Sequence, residues 1–180
     1  AEWATPNIFQ FSKGERLLTT RRLDPESMKR LDYLIYCLKQ EGIYCYLDLM
    51  TYRKFKSGDD VPNARLLGDS AKPYSIFSRR LIDLQKEFIN NIWNHVNPYT
   101  GLAYKDDPVI ILSEITNECD LFTRRFTFDI EPYHTELVGL MKEWLAEEGL
   151  DYPAATASFQ EQDDIMVRFK MTLQERYYRE

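Results

Sequence analysis

Two short apolar runs constrain what this chain can fold into, because each follows a segment with helical periodicity. In "LDPESMKRLDYLIYCLKQEG" (23–42), Met28, Leu31, Leu34, Ile35 and Leu38 fall on one stripe. Asp24 suits the N-cap, Pro25 the first helical position and Gly42 the C-terminal cap. "IYCYLDLM" (43–50) follows at once, short and rich in β-formers, and reads as a strand buried on most sides. The pairing recurs in "SRRLIDLQKEFINNIWNHV" (78–96), with Leu81, Leu84, Phe88 and Ile92 on one face, and "VIILSEI" (109–115), a second buried strand. Strands alternating with helices imply parallel pairing and right-handed crossovers. Two further helices are expected, "YHTELVGLMKEWLAEEG" (133–149) and one starting near Asp163. Two strands are too few for a complete parallel sheet. The expected fold class is therefore α/β, with residues 1–180 a partial domain truncated at both ends. The first residue is not Met, and "MVRFKMTLQERYYRE" carries no helix stop signal.

Composition narrows the function classes. The 180 residues are 44% hydrophobic and 14% aromatic, enough for one domain with a real core. Net charge is −6 with Lys and Arg scattered, which disfavours a nucleic-acid partner because phosphate contacts need a basic patch. No apolar run is long enough for a membrane span. "AEWATPNIF" lacks the charged and apolar regions of a signal peptide, so the compartment stays open, a secreted or periplasmic parent included. Cys37, Cys45 and Cys119 show no C-x-x-C spacing, and His95 and His134 have no second ligand at metal spacing. No disulfide, metal site or cofactor is expected. Neither G-x-G-x-x-G nor a Walker loop occurs, which counts against a nucleotide-binding α/β enzyme.

The chemistry-bearing residues gather after the strands, where parallel α/β architectures keep their catalytic groups. The second run ends on Thr116, Asn117 and Glu118. A partly shielded carboxyl there can hold a proton for a leaving group, and an adjacent amide can bind a hydroxyl. Equally, Glu118 can cap a helical turn and Asn117 be an ordinary loop former. The first run ends at Asp48, and the stretch from Thr51 to about Ser75 carries Tyr52, Arg53, Lys54, Phe55 and Tyr74. A structureless loop of that length is usually functional or disordered. The loop after Glu118 adds Phe122, Arg124, Arg125, Phe126 and Phe128. Tyr99 and Tyr104 precede the second strand, on the stability face of a barrel.

"SEITNE" after an apolar strand resembles the end of the fourth strand in retaining glycoside hydrolases of clan A, the family-five cellulase-like enzymes. "LDYLIYCLKQEGIYCYLDL" resembles their second helix and third strand, and "HVNPYTGLAYKDDPVIILSEITNE" the approach to the fourth; the likeness covers roughly residues 24–122. It implies part of a (β/α)8 TIM barrel, from the loop after strand 2 through helix 4. It also implies Glu118 as catalytic acid/base, Asn117 as the amide that binds the sugar 2-hydroxyl, and a carbohydrate substrate. Asp48, Tyr52 and Arg53 would line the sugar site, and Glu114 resembles the acidic residue often found in that strand. Trp3, in what would be the loop after strand 2, is either a sugar-stacking platform or a core anchor. Cys119 stands where many relatives have Pro, and Met50 where many have His.

Retention needs a second carboxyl about 5 Å from the acid. Glu114 lies about 13 Å back along an extended strand, and Asp120 starts a loop. In relatives the nucleophile is a Glu on the seventh strand. The chain is thus expected to hold the acid/base half of a site, to be inactive alone, and to self-associate through exposed barrel edges. The competing expectation is a non-catalytic carbohydrate-binding or assembly module that uses the aromatic loops without chemistry.

Overall fold

A computed structural model of the chain describes residues 8, 18–50, 53–68, 71–123 and 127–180. Trp3, Tyr52, Arg124, Arg125 and Phe126 lie outside them, so the expectations placed on those residues are not addressed by it. Helix α1 spans Pro25–Gln40, and the Asp24 side chain accepts the Ser27 amide at its start. Gly42, at φ 69°, follows its end, a left-handed position that glycine takes without steric cost. Strand β1 is Cys45–Asp48, helix α2 Arg79–Trp93 and strand β2 Ile110–Glu114. Helix α3 runs Tyr133–Glu148, stopping at Gly149 with φ 65°, and helix α4 runs Asp164–Arg179, its N-cap Asp163 accepting the Met166 amide.

β1 and β2 form a two-stranded parallel sheet. Cys45 pairs with Ile110 but Tyr46 with Leu112, so Ile111 is an extra residue in β2. Beyond it, Leu47 pairs with Ser113 and Asp48 with Glu114. The ladder continues past both strands: Leu49 N donates to Glu114 O at 2.9 Å, and Asn117 N to Met50 O at 3.2 Å.

Burial departs from the sequence expectation. Neither strand is buried on most sides: Tyr46, Ile111 and Leu112 are exposed at 54%, 63% and 59%. The continuous apolar patterns anticipate cover on both faces. Among the described residues, cover comes only on the side where α1 and α2 pack, with Met28, Ile35, Leu49, Phe88, Ile92, Tyr104 and Val109 forming one core.

The connection from β1 to α2 departs too. Its Phe55, Val61, Leu67, Tyr74, Ile76 and Phe77 join α2, α3 and α4 in the larger core, so most of its apolar side chains build the interior. A buried polar network pins its start. Asp59 accepts Thr20 N at 2.7 Å, Thr20 Oγ1 at 2.9 Å and Lys56 N at 2.8 Å. Gly58 is required there, since a Cβ would lie 2.5 Å from Leu18 O. Phe128, expected in the second functional loop, is likewise buried, with its ring 5.8 Å from Tyr74 and 6.4 Å from Phe77. Helix α2 therefore serves both cores, Leu81 and Leu84 in one and Phe88 and Ile92 in the other.

His95 bonds the buried Asp32 carboxylate at 2.8 Å, and Tyr104 donates to the same group at 2.7 Å. This pair ties α1 to the segment after α2. His134 Nδ1 meets Phe128 O at 3.0 Å. The three cysteines are free thiols. Among the described residues no helix is long and apolar enough to cross a membrane, and no cluster of three His, Cys, Asp or Glu could hold a metal ion.

Candidate active site

The parallel register sets the geometry of the site. Because β1 and β2 run the same way, their C-terminal ends share one rim, and the Asn117–Met50 hydrogen bond places Asn117 beside the end of β1. Glu118, the next residue, is exposed and on the same rim as Asp48. Its φ is 45°, in the left-handed region that a non-glycine residue occupies at a cost of about 1–3 kcal/mol unless its surroundings impose it. Those surroundings are present. Lys72 donates through Nζ to Asn117 O, Asn117 N is held by Met50, and the buried Cys119 Sγ lies 3.8 Å from Ser75 Oγ. Burial pushes the Cys119 thiol up, keeping it protonated.

The Asn117 side chain makes a long contact, Nδ2 to Glu114 Oε2 at 3.4 Å, which an incoming hydroxyl can compete with. Asp48 and Glu114 occupy paired positions on the open face, with Tyr46 two residues before Asp48. Local burial, then the hydrogen bond to Glu114 and the charge of Asp48, hold the Tyr46 phenol above its usual range. It is therefore an O–H donor at neutral pH. Asp120 spends its carboxylate on its own turn, accepting Phe122 N at 2.5 Å and Thr123 N at 2.8 Å.

Arg53 is brought elsewhere. It is 2% exposed, with Nε donating to Thr20 Oγ1 at 2.8 Å and Nη1 to Leu84 O at 2.9 Å, and its guanidinium stacks on Phe55 at 4.8 Å. Burial lowers it to about 10. In this geometry it anchors the β1–α2 connection to α2. A groove of about 720 Å³ lies between α2, β2 and the end of α4, lined by Leu49, Gln85, Trp93, Ile115 and Tyr177 among others. Neither Asn117 nor Glu118 lines it.

Sequence reasoning passed over Tyr46 and Lys72. Tyr46 was legible in principle, since strand alternation puts it on the face of Asp48. Lys72 has no spacing signal, being 45 residues from the carbonyl it holds.

A rim of carboxylates with amide and phenol donors suits a neutral, hydroxyl-rich ligand better than a polyanion. The chain is similar over part of its length to a protein named as a mannosidase. The chain is 32% identical over 116 residues, 62% of its length, to "Putative mannan endo-1,4-beta-mannosidase 9" of Oryza sativa subsp. japonica. The matched stretch is 28% of the rice protein, so the chain spans less than a third of the relative's length. No protein-family model matches the chain.

Proposed function

We propose that the chain is the acid/base portion of a retaining glycoside hydrolase on a (β/α)8 barrel, with β1 and β2 as its third and fourth strands. Glu118 is the acid/base. Its carboxyl protonates the glycosidic oxygen as the bond to the anomeric carbon breaks. A carboxylate from another part of the parent barrel takes the sugar as a covalent ester. Glu118, now ionised, removes a proton from the water that hydrolyses that ester. Asn117 Nδ2 donates to the 2-hydroxyl of the sugar at the cleavage point, and Asp48 accepts from a hydroxyl of the same substrate. The substrate is a β-linked glucan or mannan, and the rice relative's name makes β-1,4-mannan the first to try.

The observation that carries this reading is the shared rim: Asn117 is hydrogen-bonded to the end of β1, and Glu118 stands next to it at the C-terminal end of a parallel pair. The test is hydrolysis of β-1,4-mannan and aryl β-mannosides by the parent protein. Glu118→Gln should lower the rate on mannan by about 10²–10⁴-fold, the range of general acid–base catalysis, with binding retained. Unchanged turnover would refute the acid role. Binding without hydrolysis in both proteins would favour a non-catalytic carbohydrate module instead. The 180-residue chain alone is expected to give no turnover.

A further inference from the structure

Helix α4 carries three polar side chains on the face it turns to the core. Lys170, Gln174 and Tyr177 are spaced i, i+4 and i+7, one stripe beside the buried Met166, Phe169 and Leu173. Lys170 and Tyr177 are buried and Gln174 is half-buried. Polar groups placed there cost stability unless each finds a partner. Gln174 Oε1 accepts Leu121 N at 3.1 Å, three residues after Glu118. Tyr177 donates to Gln85 Oε1 at 2.7 Å; Gln85, buried on α2, donates in turn through Nε2 to Ile115 O at 3.3 Å, three residues before Glu118. Burial holds the Tyr177 phenol above its usual range, so it is a donor. Only one orientation of the Gln85 amide satisfies both ends, since a flip would set its carbonyl against Ile115 O. Lys170 donates to Glu161 O at 3.0 Å, with its ammonium 5.6 Å from the Phe122 ring centre, and Gln162 Nε2 donates to Phe122 O at 3.3 Å. Both flanks of the left-handed turn at Glu118 are thus tied to α4 or to the segment that leads into it.

We propose that Gln174 and Tyr177 are positioning residues for the candidate acid: with Gln85 they form a clamp that fixes both flanks of the turn, so the docking of α4 sets how residue 118 leaves the strand. The catalytic meaning rests on the glycoside hydrolase reading, while the clamp is a property of the chain itself. A non-glycine residue stays in a left-handed conformation only where its surroundings over-determine it. Lys72 and Met50 hold Asn117 from the β1 side, and the clamp supplies the opposing hold from α4. A loop bonded on one side alone could swing about that side, and general acid catalysis needs the donor within hydrogen-bond reach of its target.

The experiment is amide hydrogen exchange in the full chain, for the unaltered sequence, Tyr177→Phe, Gln174→Leu, their double variant and Gln85→Met. The amide to read is Asn117, which is bonded to Met50 O and to none of the altered side chains. Its exchange should rise about three- to tenfold in each single variant and further in the double, as expected for a lost buried hydrogen bond nearby. The Cys45 amide at the start of β1 and the Leu173 amide inside α4 should stay as they were. Tyr177→Phe keeps the ring and removes only the hydroxyl, so it gives the answer if Gln85→Met does not fold. Unchanged exchange at Asn117, or an equal rise at Asn117, Cys45 and Leu173, overturns the proposal, since the first shows no hold on the turn and the second only general packing. In the active parent, Tyr177→Phe should lower kcat several-fold with little change in KM. If Glu118→Gln leaves the rate untouched while Asn117 exchange rises as expected, the hydrolase reading fails and the clamp stands.

Discussion

The α3–α4 lobe and the β1–α2–β2 unit are built on opposite terms. In the lobe, Met141, Trp144, Met166 and Phe169 are at most 2% exposed, and Trp144 and Phe169 meet at 5.6 Å between centroids. Most large apolar groups there are covered within the chain, Met171 and Tyr178 on the outer side of α4 being exposed. In the β unit one sheet face is packed and the other presents Tyr46, Ile111 and Leu112 to solvent, with Asp48 and Glu114 towards its end. Monomeric surfaces rarely expose contiguous apolar groups of that size without a use for them. The lobe behaves as a finished core, whereas the sheet has the surface of an interface, and under the proposed function its rim carries the chemistry. Under the barrel proposal that open face is the interior side of two barrel strands.

The largest effect should come from the lobe. Trp144→Ala removes a fully packed side chain and should cost about 3–5 kcal/mol, seen as loss of cooperative unfolding or a large drop in Tm. Arg53→Met should be intermediate, about 1–3 kcal/mol by chemical denaturation, because Leu84 O and Thr20 Oγ1 lose a buried donor. Leu112→Ala should cost less than about 0.5 kcal/mol in this chain, where the residue is mostly exposed, and about 2–5 kcal/mol in the intact parent if the face is barrel interior. Equal costs in chain and parent would remove the contrast between the two regions.

The smallest effect is one of pH on α4. The hydrogen bond from Tyr152 holds Asp163 below the usual carboxylate range, and those from Lys86 and Arg79 do the same for Glu180. Carboxyls lowered in the folded state stabilise it above the unfolded value of about 4 and lose that contribution as pH falls through the folded values. Amide exchange at both ends of α4 should therefore rise below about pH 4 while the middle around Met166–Leu173 stays protected. Uniform loosening of the helix would contradict this.

Much of the element order was legible because it rests on local signals. Asp24, Pro25 and Gly42 frame α1, Asp163 opens α4 and Gly149 closes α3, each a cap readable from residue type. Asn117 and Glu118 were legible as a pair ending an apolar run. Burial was not, because an apolar strand pattern states what a residue needs and not whether a neighbour supplies it. The β1–α2 connection failed for a related reason. Phe55, Val61, Leu67 and Tyr74 enter the core without helical or strand periodicity, so spacing could not separate them from a functional loop. Arg53 reads as a surface cation from sequence, and only the Thr20 and Leu84 partners turn it inward.

The central claim is that residue 118 is a proton donor kept in a costly backbone conformation for the sake of its reaction. The direct measurement is Glu118→Gly, read for stability by thermal unfolding and for hydrolysis in the active parent. Glycine takes φ 45° freely, so the account predicts a gain of up to about 1 kcal/mol together with a fall in rate of at least about 100-fold. A variant that hydrolyses as fast as its parent, or that loses stability on gaining glycine, would contradict it.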